Sequence, residues 1–379
     1  MSGKTKRKYI SELVRFNKSL KRPLCLIQEV LPYDYNKFTI LNLFKELYPF
    51  EWDTIVQRYK HYKEKDNFLK SKNKQKRYYP QNPEEYFFNL QKVKHLTSHG
   101  QKLQHKKNYD AKKQAKQFYT LRKKRKGSIE KKQKRIAKVK EIIQFVEPLY
   151  IDIFINEYHR KGITVEEKIE ILKELQKYES EKTIEFFYKI NDSEKNNQVR
   201  RIAFNHLQNI GRYVKLRKNF KGKQKTYMIE KSNFFMKPDD LYKRIKNDSI
   251  QNKKVYDYFI SHSLVDNEIV LKILRCLNSL DYSVYCDWLS DNDFLKREYI
   301  SEYTILILKK RIEQSRNILF IQTSNTTDEN NNLRSPWIQM ELDYAKELRK
   351  NIVCIDLLQK DKCEFDVLKY DNENNILVI

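Results

Sequence analysis

The chain has 379 residues, a net charge of +27, 40% hydrophobic and 34% charged residues, and only 6 Gly and 8 Pro. It therefore has room for two or three domains with cores of their own, rich in helix and poor in disordered linker. Five cysteines (Cys25, Cys276, Cys286, Cys354, Cys363) form no C-x-x-C pair and are odd in number, which argues for reduced thiols rather than a disulfide framework. The stretch from Met1 to Arg22 has no apolar signal-peptide core and no eighteen apolar residues run together, so the expectation is a cytoplasmic protein that does not span a membrane.

The charge is unevenly spread. From Lys253 to Ile379 there are 17 Lys and Arg against 21 Asp and Glu, which leaves 60 against 29 before it. All of the positive excess is N-terminal, where it would attract a polyanion.

Residues 1–160 read as a basic helical region. Ile40, Leu43, Phe44 and Leu47, then Tyr86, Phe87, Leu90 and Val93, recur at helical spacing, and no stretch alternates as a strand would. The most basic run, Arg122-Lys123-Lys124-Arg125-Lys126, is followed by a break expected at Gly127-Ser128. Such a run either contacts nucleic acid, with Tyr109 and Tyr119 available to stack on bases, or forms a solvated helix surface. His95 and His99 stand at i and i+4, but no third ligand is near them, and no metal site is expected.

Residues 161–250 form a second helical block. Thr164-Val165-Glu166-Glu167 has the form of a capping box, with Val165, Ile169, Leu172 and Leu175 as the apolar stripe that follows. Further helices are predicted from Thr183 to Ile190 and after Asp192-Ser193, and the run from Asp192 through Val199, Ala203 and Leu207 to Gly211 resembles one helix of a HEAT repeat. A second basic patch, Lys215 to Lys223, precedes a polar boundary at Asn247 to Lys254.

From residue 253 to 379 strands and helices alternate. Val255–Ile260, Val284–Cys286, Asn317–Ile321 and Asn351–Ile355 are apolar strands separated by helical periods, with a fifth strand expected near Asn375–Ile379. Strands of this kind imply a parallel sheet covered on both faces, whose ligands bind beyond the strands' carboxyl ends. Here those ends are Ser261 to Ser263, Asp287 to Phe294 and Thr323 to Arg334. The last helix starts at Ser335-Pro336, a cap followed by a proline at the first helical position. Trp337, Ile338, Leu342, Ala345 and Leu348 lie on one apolar arc, and Glu341 falls inside it, one turn after Trp337. An acid at that position is either half-buried and paired with a Lys or Arg, or a catalytic carboxylate beside an aromatic wall.

The motifs Asp257-Tyr258-Phe259-Ile260-Ser261-His262-Ser263, Val284-Tyr285-Cys286-Asp287-Trp288 and Ser335-Pro336-Trp337…Glu341-Leu342 resemble a bacterial TIR (Toll/interleukin-1 receptor) domain. The resemblance implies an α/β flavodoxin-like fold preceded by the all-α basic region. In enzymatic members it implies cleavage of NAD+ at the nicotinamide–ribose bond, with the essential glutamate falling on Glu341 four residues after Trp337. NAD+ is then a substrate, and no further cofactor is called for. Its nicotinamide is already a cationic leaving group and needs no general acid to depart, so one carboxylate that steadies an oxocarbenium-like transition state could be enough. Trp337, Trp288, Ser261, His262, Ser263, Asp287 and Phe294 are the candidate substrate contacts. The family's BB loop corresponds to the segment from Asp287 to about Tyr299, here long and without glycine, and enzymatic members commonly assemble as homo-oligomers through it. The resemblance implies a NAD+ hydrolase or a cyclase making cyclic ADP-ribose, and in bacteria an antiphage, abortive-infection effector whose N-terminal region senses nucleic acid or a phage-derived trigger. Other members are non-enzymatic interaction modules, for which Glu341 would be structural and the basic region would bind nucleic acid.

Overall fold

The apolar segments of the C-terminal third form strands because each residue can bury its side chain on one face or the other of a covered sheet. In the computed structural model, which describes residues 3–214, 238–247, 250–291, 302–358, 363–372 and 374–378, these strands are β1 (Tyr256–Ser261), β2 (Val284–Tyr285), β3 (Ser315–Gln322) and β4 (Asn351–Asp356). With β5 (Asp366–Val367) they make a five-stranded sheet in the order β2-β1-β3-β4-β5, parallel at every pairing. This is the TIR-like flavodoxin fold. The fifth position differs from the expectation: Ile376–Val378 (β7) pairs antiparallel with Lys369–Asp371 (β6) in a separate two-stranded sheet.

Alternate strand residues divide between two faces. Tyr258, Ile260, Leu319, Ile321, Val353 and Ile355 pack with Val270, Ile273, Leu274 and Leu277. Those four come from the helix Asn267–Ser279, which follows a 3-10 turn at Leu264–Asp266. On the opposite face Phe259 stacks on Tyr285 at 5.1 Å, Tyr285 meets Tyr256, and Tyr256 meets Tyr150 edge to face at 5.7 Å.

Tyr150 lies just before the helix Ile151–Tyr158. The chain forms two compact units, Met1–Lys138 with Gln208–Lys221, and Val139–Leu207 with Gly222–Ile379. The helices Ile151–Tyr158, Val165–Leu175 and Glu181–Ser193 fall in the same unit as the sheet. Two side-chain sets explain why. The amide of Gln144 donates to the carbonyl of Val284 at 2.8 Å and accepts from its N–H at 3.2 Å, so one side chain satisfies the open edge of β2. Below the sheet, Glu174 pairs with Lys177 and Lys254, each at 2.7 Å. Nearby, Arg311, fully buried, grips Asp291 with contacts of 2.9 and 3.2 Å and donates to the side chain and carbonyl of Gln251. Lys177 also donates to the carbonyl of Ser290, the residue before Asp291.

In the first unit, the helices Gly3–Gln28, Lys37–Leu47 and Pro49–Ser71 and the shorter Pro83–Phe88 and Gln91–Thr97 enclose Phe16, Leu20, Leu24, Ile27, Ile40, Phe44 and Phe87. Buried Arg58 pairs with Glu12 at 2.9 Å, and Glu12 also accepts from Tyr62 and Tyr213. A continuous helix runs from Ala111 to Ile142, so Gly127-Ser128 does not break it. One glycine costs a helix only about 1 kcal/mol, and Ser128 bonds back to the Lys124 carbonyl at 3.1 Å. His95 and His99, by contrast, fall on separate helices divided at Ser98. No described helix is long and apolar enough to cross a membrane.

Candidate active site

Glu341 lies on the helix Pro336–Glu347, which turns Ile338, Glu341, Leu342 and Ala345 inward. Of the sequence arc, Ile338, Leu342 and Ala345 are buried with the acid among them, Trp337 is half-buried and Leu348 is exposed. Glu341 is 9% exposed, and the fully buried Ser261 hydroxyl at the end of β1 donates to its Oε2 at 2.6 Å. Among the described residues no Lys or Arg pairs with it. Burial pushes its pKa up to about 8; the Ser261 hydrogen bond pulls the other way and the charge of Asp287 adds to the rise.

The neighbouring loops bring the other candidates in. The indole N–H of Trp288 donates to Nε2 of His262 at 3.1 Å. The other ring nitrogen, Nδ1, faces the Ile260 carbonyl at 3.3 Å. Asp287 Oδ1 is 3.9 Å from His262 Nε2. Ser261, His262, Asp287, Trp288 and Glu341 therefore gather at the carboxyl ends of β1 and β2. Trp337 sits one turn before Glu341 and is half-buried; Ser263 is half-buried, and its carbonyl accepts from the Asp266 N–H at 3.0 Å. Phe294 and most of the expected BB loop lie outside the described residues, as does the basic patch from Lys215 to Lys223.

Two features were missed in the sequence. Asp266 accepts from the Thr323 hydroxyl and the Asn325 amide, each at 2.6 Å, and so ties the loop after β3 to the loop after β1. Cys286, read as the last residue of a strand, is fully buried just before Asp287, and its Sγ groups with ligand atoms of His262 and Asp287. Only its position between the strand and the Asp-Trp pair hinted at this.

In the first unit the basic run is partly spent on internal contacts. Arg122 pairs with Glu46 at 2.8 Å, and Arg125 donates to the Leu47 carbonyl at 2.8 Å with its guanidinium 4.2 Å from the Tyr48 ring centre. Lys123, Lys124 and Lys126 are exposed, as is Tyr119, while Tyr109 packs edge to face on Tyr33.

The parallel sheet thus presents a buried glutamate on its last long helix, facing a serine at the end of the first strand. The chain belongs to the bacterial TIR-domain proteins: over 377 residues, all of this chain and 98% of the relative, it is 52% identical to the putative cyclic ADP-D-ribose synthase TIR2 of Cytobacillus dafuensis. It is also 30% identical over 106 residues, 28% of this chain and 51% of the relative, to the probable 3' cyclic ADP-D-ribose synthase ThsB' of Bacillus cereus (strain MSX-D12). No family model and no solved structure matches.

Proposed function

We propose that the α/β unit cleaves NAD+ at the bond between nicotinamide and ribose, with Glu341 as the catalytic carboxylate. The observation that carries this is the position of Glu341: buried, without a described cation, and hydrogen-bonded to Ser261 where a parallel sheet presents its ligands. The names of both relatives, cyclic ADP-D-ribose synthases, support the same reading.

The glycosidic electron pair leaves with the pyridinium nitrogen, so nicotinamide departs neutral without being protonated. The ribosyl carbon is left cation-like, and a carboxylate in a water-poor site stabilises that charge more than it stabilises the ground state. Burial pushes the Glu341 pKa up to about 8 and so favours its protonated form in the free protein; the pyridinium of bound NAD+ favours the ionised form. Trp288 and Trp337 supply flat faces for the pyridinium or adenine, and His262, Ser263 and Asp287 supply polar contacts. The carbon then takes a nucleophile. A nitrogen or hydroxyl of the same molecule closes a cyclic ADP-ribose and releases a proton; water gives ADP-ribose and a proton. We place cyclisation first because of the relatives' names.

The chain acts as a homo-oligomer, with the basic first unit as the sensing region of an antiphage effector that lowers NAD+ when triggered. The test is nicotinamide release by the full chain at rising protein concentration, with the nucleotide products separated chromatographically. The expected result is turnover that rises more than linearly with concentration and a cyclic product. No release under any assembling condition would leave the TIR domain as an interaction module.

A further inference from the structure

β1 and β2 run parallel, so their carboxyl ends deliver two loops to the same place. The first supplies His262 and the second supplies Cys286 and Asp287; one ligand atom from each lies within 4.8 Å of the other two. This is a mixed nitrogen, sulfur and oxygen set beside Glu341, and three details prepare it for a cation. The Trp288 indole can only donate, so the His262 nitrogen that it meets, Nε2, carries the ring's lone pair. Nε2 is the atom that also faces Asp287, at 3.9 Å. The Asp287 side chain is 40% exposed, and its Oδ1 has no hydrogen-bond partner among the described residues. Cys286 is fully buried and free.

We propose that His262 Nε2, Cys286 Sγ and Asp287 Oδ1 bind one Zn²⁺, and that the bound metal holds the Glu341 site shut. Imidazole, thiolate and carboxylate suit zinc, whereas magnesium and calcium take oxygen ligands. Tetrahedral zinc with bonds of about 2.0–2.3 Å needs its ligand atoms about 3.3–3.8 Å apart. The set must therefore contract by up to about 1–1.5 Å, within reach of side-chain rotation. Three protein ligands leave the fourth position to water. Binding exchanges the Cys286 thiol proton for the metal–sulfur bond and takes the His262 lone pair away from Trp288, whose indole must then turn. Occupation thus removes three candidate substrate contacts at once and places a cation beside Glu341. The shut-site half of this proposal rests on the reading of Glu341 as the catalytic group; the metal site itself does not.

Co²⁺ reports the site directly, because a thiolate ligand gives a sulfur-to-cobalt charge-transfer band in the near ultraviolet and tetrahedral geometry gives intense visible bands. The full chain, stripped with chelator, is titrated with Co²⁺ and then with Zn²⁺ as competitor, for wild type, Cys286→Ser, Cys286→Ala, Asp287→Asn and, as thiol controls, Cys354→Ser and Cys363→Ser. The expected result is a band saturating at one metal per chain, displaced by Zn²⁺, kept in the controls, kept at reduced affinity in Asp287→Asn, and lost in both Cys286 variants. Losing even an outer partner of a metal ligand costs 10–100-fold in affinity, so losing Cys286 should cost about 100-fold or more. Zn²⁺ should also quench or shift the Trp288 emission and inhibit nicotinamide release, each chain compared with its own metal-free rate. A band that survives in both Cys286 variants, or no band at all in the wild type, overturns the site. A normal band with undiminished release at saturating Zn²⁺ overturns the shut state. A chain that releases no nicotinamide without metal fails the reading of Glu341, and the cobalt spectrum still decides the site.

Discussion

The Ser261 hydroxyl and the Glu341 carboxylate meet across the end of β1 at 2.6 Å, the serine fully buried and the glutamate 9% exposed. A carboxylate placed there without a described cation is costly when ionised. If it serves as the group that steadies a cation-like transition state, Glu341→Gln keeps the shape and the Ser261 contact but removes the charge. Turnover should fall by a factor of about 10² to 10³. Stability should move the other way. The folded pKa is raised to about 8 from an unfolded value of 4.5, so both states are protonated below 4.5 and no penalty exists there. As pH rises from 4.5 to about 8 the unfolded state ionises first and the native state loses ground. The melting temperature of Glu341→Gln should match wild type near pH 4.5 and exceed it increasingly towards pH 8. A variant that melts normally and still releases nicotinamide at the wild-type rate would take Glu341 out of the active site.

The same shift sets the pH dependence of catalysis. Glu341 must be ionised to act, so kcat/KM, which reports the free protein, should climb about tenfold per pH unit and level off near pH 8. With NAD+ bound, the pyridinium charge moves the limb seen in kcat to lower pH. Ser261→Ala removes the hydrogen bond that holds the pKa down, so its kcat/KM midpoint should lie above that of wild type. A flat wild-type profile across pH 6 to 9 would mean that this ionisation does not limit the reaction.

Most of the sheet could be read from the chain because β1 to β4 are apolar runs bounded by polar loops, and Glu341 could be read because one acid breaks an otherwise apolar arc. What stayed hidden depends on distant partners. Nothing local to Gln144 announces that it completes the edge of a strand 140 residues away. β5 is two exposed residues, Asp366 and Val367, with no alternation to reveal it. Ile376–Val378 has the composition of a core strand but finds β6 instead. The pairing of Asp266 with Thr323 and Asn325 joins loops 57 and 59 residues apart, and polar loop residues carry no periodic signal.

The buried ionic set beneath the sheet should behave as a unit. Arg311→Met takes away the ion pair of buried Asp291 and leaves it the Tyr285 hydroxyl at 3.1 Å and the more distant charges of Lys254 and Lys177; breaking a buried pair typically costs about 3–5 kcal/mol, measured as a loss in denaturant midpoint. Replacing Asp291 as well, by Leu, should recover much of that loss. Glu174, held at about 2 by Lys177 and Lys254 against the penalty of burial, adds an acid limb. Its folded pKa lies below the unfolded value of 4.5, so its contribution is complete above pH 4.5 and disappears as pH falls towards 2. Glu174→Gln should be less stable than wild type at pH 7 and should lose less stability on acidification. If Arg311→Met alone is neutral, the remaining partners of Asp291 carry its charge and the set does not act as a unit.

The basic helix of the first unit yields a separate prediction, because its residues divide into two kinds. Arg125 is half-buried on the Leu47 carbonyl and Tyr48 ring and Arg122, though exposed, pairs with Glu46, whereas Lys123, Lys124 and Lys126 are exposed. Phosphate contacts release condensed counterions, so if this face binds nucleic acid the affinity should fall steeply with salt, each lysine in contact adding about one to the logarithmic slope. Neutralising Lys123, Lys124 and Lys126 together should flatten the slope by about 2 to 3 without lowering the melting temperature. Changing Arg122 and Arg125 should instead destabilise the unit, through lost packing on Tyr48 and lost pairing. Fluorescence anisotropy with labelled DNA and RNA over a range of salt concentrations separates the two sets. An unchanged slope in the triple lysine variant, or no binding at low salt, would leave this helix as a solvated surface.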